Sequence, residues 1–162
     1  MRNAATLLID DNEEFSRSVI SLFEGEGIRL DWAHEWDEGV GLFRVVLHEL
    51  VIADYNLPGS PNGLKLLAKL KPLRPSTVFI LISGALTSKA EALVKRTPLV
   101  DEYLTKTSEL PDLLLTRARA AEERAPQSSN WQEAAVAHVK NQSVYETVID
   151  EVDTILKGQI QP

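Results

Sequence analysis

Five short apolar runs punctuate the chain, with longer amphipathic stretches between them as far as about residue 125. The runs are Thr6–Ile9, Ile28–Ala33, Leu50–Ala53, Thr77–Ile82 and Glu102–Thr105. The first, third and fourth are nearly continuous in Val, Ile and Leu, as expected of parallel strands covered on both faces. The second alternates apolar with polar residues and belongs nearer a sheet edge.

The intervening stretches carry apolar residues at helical spacing. Residues 13–25 place Phe15, Val19, Leu22 and Phe23 on one side and end in Gly-Glu-Gly. Residues 35–47 carry Trp36, Val40, Phe43 and Leu47, and residues 63–71 carry Leu64, Leu67 and Leu70 before Pro72. Residues 87–96 form a short, weakly apolar helix through Ala90, Leu93 and Val94. Residues 109–124 carry Leu110, Leu113, Leu114 and Ala118, with Ser108 as N-cap and Pro111 tolerated in the first turn. Strand–helix alternation of this kind predicts an α/β domain: a parallel sheet, helices on both faces, right-handed crossovers.

Pro126 to Asn130 reads as a break, dividing the chain into a domain over 1–125 and a linker with a helical extension over 126–162. Trp131 to Lys157 reads as helix again, with Gly158 past its end. Ser143 to Glu146 repeats a capping signal, so two helices are equally consistent. Tyr145, Val148, Val152 and Ile155 fall at heptad-like spacing and form a stripe for a downstream partner or a second copy.

Composition narrows this picture. The chain has 162 residues, the size of one compact domain with a small appendage, and 44% are hydrophobic, too many for a disordered chain. No apolar run approaches the ~20 residues of a membrane span. The N-terminus runs straight into the first strand without a secretory pattern, so a cytoplasmic protein is expected. With no cysteine, disulfides, thiolate metal sites and cysteine nucleophiles are excluded. The net charge of −7 is uneven: residues 1–60 carry 4 Lys/Arg against 12 Asp/Glu, whereas residues 61–125 carry 11 against 7. An acidic first third argues against a nucleic-acid partner. It fits either a solvated surface or a metal-binding carboxylate cluster.

Ligands of open α/β sheets bind beyond the carboxyl ends of the strands, so the residues leaving each apolar run matter most. The first run exits into Asp10-Asp11, the third into Asp54-Tyr55-Asn56, the fourth into Ser83-Gly84 and the fifth into Thr105-Lys106. Singly these are ordinary: Asp10 or Asp11 as a helix cap, Asp54 as a turn residue, Ser83 in a loop, Lys106 on the surface. Together they bring three carboxylates, a hydroxyl and an ammonium to one edge. Clustered carboxylates repel unless a cation lies among them, and hard oxygen ligands with room for water suit Mg²⁺. A lysine and a serine on the same rim share an anionic target such as a phosphoryl group.

Asp-Asp after the first strand, Val51 to Gly59 (V-I-A-D-Y-N-L-P-G), L-I-S-G-A and Y-L-T-K resemble the receiver domain of two-component response regulators. The resemblance implies a flavodoxin-like, doubly wound five-stranded sheet of order 2-1-3-4-5. It implies Asp54 as phosphoacceptor, and Mg²⁺ held by Asp11, Asp54 and the Asn56 backbone carbonyl, with Asp10 assisting through a water. Ser83 and Lys106 would bind the phosphoryl oxygens, Gly84 would keep the site open, and Ser83 with Tyr103 would form the switch. The implied partner is a sensor histidine kinase or histidine phosphotransfer protein, and the role is that of a phosphoacceptor rather than an enzyme. Two features depart from the family. Lys106 is followed by Thr107 instead of proline; a non-proline cis bond costs ~3 kcal/mol, which leaves cis or trans open at this bond and, with it, the shape of the lysine's loop. The Pro58–Gly63 loop is one residue longer than usual. Ala85 offers no polar group to orient an attacking water, so slow self-dephosphorylation is expected.

Two other readings compete. A phosphorylation-independent adaptor would keep the fold with Asp54 vestigial. A phosphatase of the haloacid-dehalogenase type needs Asp-x-Asp, and position 12 is Asn. The phosphate-binding motifs G-x-x-x-x-G-K and G-x-G-x-x-G are absent.

Overall fold

A computed structural model describes residues 5–57 and 63–124. Within them the chain runs β1 (Thr6–Ile9), α1 (Glu13–Gly25), β2 (Leu30–Ala33), α2 (Trp36–Val46) and β3 (Leu50–Asp54). It continues with α3 (Gly63–Leu70), a 3-10 turn at Lys71–Leu73, β4 (Val78–Ser83), α4 (Ser88–Arg96), β5 (Glu102–Thr105) and α5 (Leu110–Arg124). The five strands are parallel, in the order β2-β1-β3-β4-β5. The fold is therefore the flavodoxin-like one expected. The C-terminal extension, with Tyr145, Val148, Val152 and Ile155, lies outside the described residues.

Period-two alternation divides the interior into two half-cores. Leu7, Ile9, Val51, Ala53, Phe79 and Leu81 face one side of the sheet, where Phe43 of α2, Leu64 and Leu67 of α3 and Val94 of α4 cover them. Leu8, Leu50, Ile52, Ile80 and Ile82 face the other, against Val19 and Phe23 of α1 and Leu110, Leu114 and Ala118 of α5. The three central strands are buried on both faces, which is why they read as continuous apolar runs. On the edge strand β2 only Ala33 is fully buried, in keeping with its alternating sequence.

Several boundaries move by a residue or two, each because a backbone group is used elsewhere. Ile28 looks like a strand residue, but its N–H donates to the Phe23 carbonyl and closes α1 across Gly27, whose φ is +70°. The strand then starts at Leu30. Thr77 is held in a turn, its N–H on the Arg74 carbonyl and its Oγ1 on the His48 carbonyl, so β4 starts at Val78. Pro72 cannot donate to a helical ladder, and α3 stops at Leu70 in favour of the tighter 3-10 turn. The cap of α1 is Asn12, whose Oδ1 accepts the Phe15 N–H at 2.9 Å. Neither Asp10 nor Asp11 is needed for that task.

Candidate functional site

Alternation along the strands aims the site. Asp10, Asp54 and Lys106 each stand two residues beyond a residue of the same half-core, namely Leu8, Ile52 and Leu104. Their side chains consequently leave the sheet on the same side and meet. Asp10 is fully buried and Asp54 nearly so, while Asp11 is exposed. One carboxylate oxygen from each of the three lies within 4.8 Å of the others. The Lys106 ammonium reaches in from the β5 side, 2.7 Å from Oδ2 of Asp10 and 2.9 Å from Oδ2 of Asp54. Every described peptide bond is trans, Lys106–Thr107 included, and the lysine still reaches both carboxylates.

Backbone donors fix the two buried acids. Oδ1 of Asp10 accepts the Asn12 N–H at 2.9 Å, and Oδ1 of Asp54 accepts the Asn56 N–H at 3.0 Å. The Asp10 peptide is itself clamped: its N–H donates to the Ala33 carbonyl, and its carbonyl accepts the Trp32 indole N–H at 2.9 Å. Burial raises the Asp10 carboxyl above the usual range, opposed by Lys106 and the Asn12 N–H, with neighbouring Asp54 pushing further upward. Burial alone would depress the Lys106 ammonium, but the Asp10 and Asp54 carboxylates beside it outweigh that and hold its pKa above normal.

The donor set suits Mg²⁺. It consists of hard carboxylate oxygens, one of them exposed with room for water. Oδ2 of Asp10 is buried without a well-directed hydrogen bond, and the nearby ammonium is an electrostatic partner rather than an aligned donor. A small divalent cation would meet that unsatisfied oxygen.

Ser83 follows Ile82, the register partner of Asp54, and is fully buried. Its hydroxyl donates to the Ala85 carbonyl at 3.3 Å, and its own carbonyl accepts the Lys106 N–H at 2.9 Å. The main chains of β4 and β5 thus join at the site, with the Ser83 hydroxyl engaged in its own loop. Tyr103 pairs in register with Leu81 and packs, half-buried, against the half-core under α2, α3 and α4. Asn12, where a haloacid-dehalogenase motif would need its second aspartate, is occupied with capping α1.

Three contributors escaped the reading of the sequence. Trp32 registers only as a strand residue until β2 is placed beside β1. Phe15 registers as a core position of α1, yet the Lys106 ammonium lies 4.8 Å from its ring centroid. Gly63 begins α3 directly against the phosphoacceptor candidate: a Cβ there would lie 2.1 Å from the Asp54 carbonyl oxygen. Its N–H donates to the Tyr55 carbonyl at 2.7 Å. A glycine after a turn was the visible signal for the last, although nothing in the sequence ties it to residue 54.

Comparison with known proteins agrees with this geometry. The family model of the response regulator receiver domain matches residues 6–118. The cell cycle transcriptional regulator CtrA of Caulobacter vibrioides is 28% identical over 101 residues, which are 62% of this chain and 42% of that protein. The chain thus spans about two fifths of the length of that relative. A CheY-like receiver domain from Methanospirillum hungatei superposes with a TM-score of 0.65 at 25% identity, covering 74% of this chain and 94% of that one. The signal receiver domain of an HD domain-containing protein from Pseudomonas fluorescens gives 0.66 at 28% identity, covering 76% and 89% respectively. With strand order, acidic cluster and family match in agreement, the chain belongs to the response regulator receiver domain family.

Proposed function

We propose that this protein accepts a phosphoryl group on Asp54 from a phosphohistidine and relays the signal by changing its partner or its self-association. The convergence of Asp10, Asp11, Asp54 and Lys106 on one strand edge carries this reading. In the transfer, the donor's N–P bond breaks and an Asp54 O–P bond forms, giving an acyl phosphate. Catalysis of such a step is mostly positioning and charge stabilisation. The Asn56 N–H holds Oδ1 of Asp54, and Lys106, already at the pocket, turns its ammonium onto the incoming phosphoryl oxygens. Asp10, Asp11, Asp54 and the Asn56 carbonyl would hold Mg²⁺, which when bound neutralises charge on the transferring group. Hydrolysis then needs an oriented water, and Ala85 supplies no group to orient one, so the phosphorylated form is long-lived.

Output in this reading runs through Ser83 and Tyr103. The Ser83 hydroxyl exchanges the Ala85 carbonyl for a phosphoryl oxygen, and Tyr103 fills the space vacated, biasing two conformations of the α4–β5–α5 face. The donor is a sensor histidine kinase or histidine phosphotransfer protein, and the setting is the cytoplasm; no described helix is long and apolar enough to cross a membrane. The strongly acidic first third keeps nucleic acid outside this proposal. The transcriptional role in the Caulobacter relative's name belongs to a protein of which the likeness covers 42%.

Incubation with acetyl phosphate and Mg²⁺, read by intact mass, tests the site. Wild type should gain one phosphoryl group and Asp54→Asn none. Sizing chromatography with and without beryllofluoride should show a change in assembly. No mass gain and no response to beryllofluoride would leave the adaptor reading in its place.

A further inference from the structure

We infer that Phe15 is a positioning residue for Lys106, its ring closing the open side of the lysine's ammonium. A lysine head group is a compact charge on a flexible stem, and two carboxylates on one side do not by themselves fix where it lies. Oδ2 of Asp10 and Oδ2 of Asp54 hold one flank at 2.7 and 2.9 Å. The Phe15 ring centroid lies 4.8 Å from Nζ, well inside the ~6 Å at which an aromatic face attracts a cation. Among the described residues no other ring is in such contact with Lys106.

The placement of the ring is itself built in. Asn12 caps α1 by accepting the Phe15 N–H, and the Ser16 N–H donates to the Asn12 carbonyl. These bonds fix the first turn so that Phe15 packs, half-buried, on the half-core under α1 and α5. The residue following Asp10-Asp11 therefore sets the helix start, the helix start sets Phe15, and Phe15 covers Lys106. With Thr107 next in the chain, no pyrrolidine ring stiffens the lysine's loop, and the constraint comes from a side chain on another element. A mere core role for Phe15 would be served by any apolar side chain of similar size, whereas a positioning role requires the aromatic face.

The kinetic consequence rests on the proposed phosphoryl transfer, but the placement does not, and the test separates them. In the full-length protein, NMR of the lysine ε-methylenes should show Lys106 shifted upfield by the ring current. Phe15→Leu should abolish the shift and Phe15→Tyr should keep it. The rate constant for acetyl phosphate and the affinity for beryllofluoride should each fall roughly 3- to 10-fold in Phe15→Leu. Both should recover in Phe15→Tyr. Affinity for Mg²⁺ alone should stay within about 2-fold, because a phenyl ring supplies none of the oxygen ligands that hold the ion. An unchanged Lys106 resonance in Phe15→Leu would overturn the placement. A correct resonance with unchanged phosphorylation would overturn the positioning role. Equal losses in Leu and Tyr, together with weaker Mg²⁺ binding, would reduce Phe15 to a packing residue. A wild type that takes up neither acetyl phosphate nor beryllofluoride would refute the phosphoacceptor reading and leave the resonance to decide the placement.

Discussion

Removing the Lys106 ammonium leaves Asp10 and Asp54 facing each other in a buried pocket with no cation between them. Breaking a buried pair from one side strands the remaining charge, at a cost of about 3 kcal/mol. Lys106→Met should therefore lower the urea midpoint measured without divalent ions. Asp10→Asn should not, because it removes a carboxylate whose charge burial already disfavours while keeping the Oδ1 acceptor for Asn12. Both variants should lose phosphorylation. Comparable destabilisation by the two would contradict this account of the pocket. A second titratable group lies at the opposite end of the strands. His48 is buried against Phe43, its Nε2 is 2.7 Å from Oδ2 of Asp31, and its Nδ1 has no partner. Burial depresses its pKa below the ordinary 6.5, outweighing Asp31; Arg29 and Arg74 add to the depression. A depressed histidine binds its proton more readily in the unfolded chain. Its contribution is thus complete above about pH 6.5 and is lost as pH falls below that value. Stability should decline from pH 7.5 to 5.5 more steeply in wild type than in His48→Gln. Equal pH slopes in chemical denaturation would exclude His48 as the source.

At the scale of elements, two glycines show how closely helices are seated on the sheet. Gly39 brings α2 onto β1: a Cβ there would meet the Ile9 side chain, Cδ1 at 2.6 Å and Cγ1 at 3.0 Å, and a side chain yields more readily than backbone. Ala also gains up to ~1 kcal/mol of helix propensity over Gly. Gly39→Ala should accordingly change stability by about 1 kcal/mol or less. Gly63 brings α3 onto β3, where the obstacle is the Asp54 carbonyl at 2.1 Å, and backbone cannot rotate away. Gly63→Ala should cost on the order of 3 kcal/mol or more, and should slow phosphorylation by displacing the Asp54 peptide. Thermal melts and acetyl phosphate rates on the two variants check this; similar melting points would argue against it. The strands and helices themselves were legible in the sequence because apolar periodicity is a local signal. Boundaries such as Ile28 and Thr77 were not, because what decides them is the destination of a single N–H.

At the scale of the molecule, the four strand exits were readable because polar residues ending apolar runs stand out locally, and the sheet topology brings such ends together. What could not be read depends on a pair far apart in the chain: Trp32 on Asp10 across 22 positions. The reach of Lys106 without a following proline belongs to the same class. The acidic first third now has a structural correlate in three converging carboxylates, beside an ordinary charged surface. A cation among them should stabilise the whole fold, by about 2.7 kcal/mol at a hundred times Kd. Mg²⁺ should raise the melting temperature of wild type and have much less effect on Asp11→Asn, whose exposed carboxylate makes no described bond needed for folding. Equal shifts for both would place the ion elsewhere. The two-residue step from Leu8 to Asp10, Ile52 to Asp54 and Leu104 to Lys106 also limits how the gene can change. Losing or gaining one codon within β1, β3 or β5 sets burial of the apolar residues against the aim of the charged one beyond them. Point substitution can vary either role, but single-residue insertions and deletions in these strands cannot be tolerated by both.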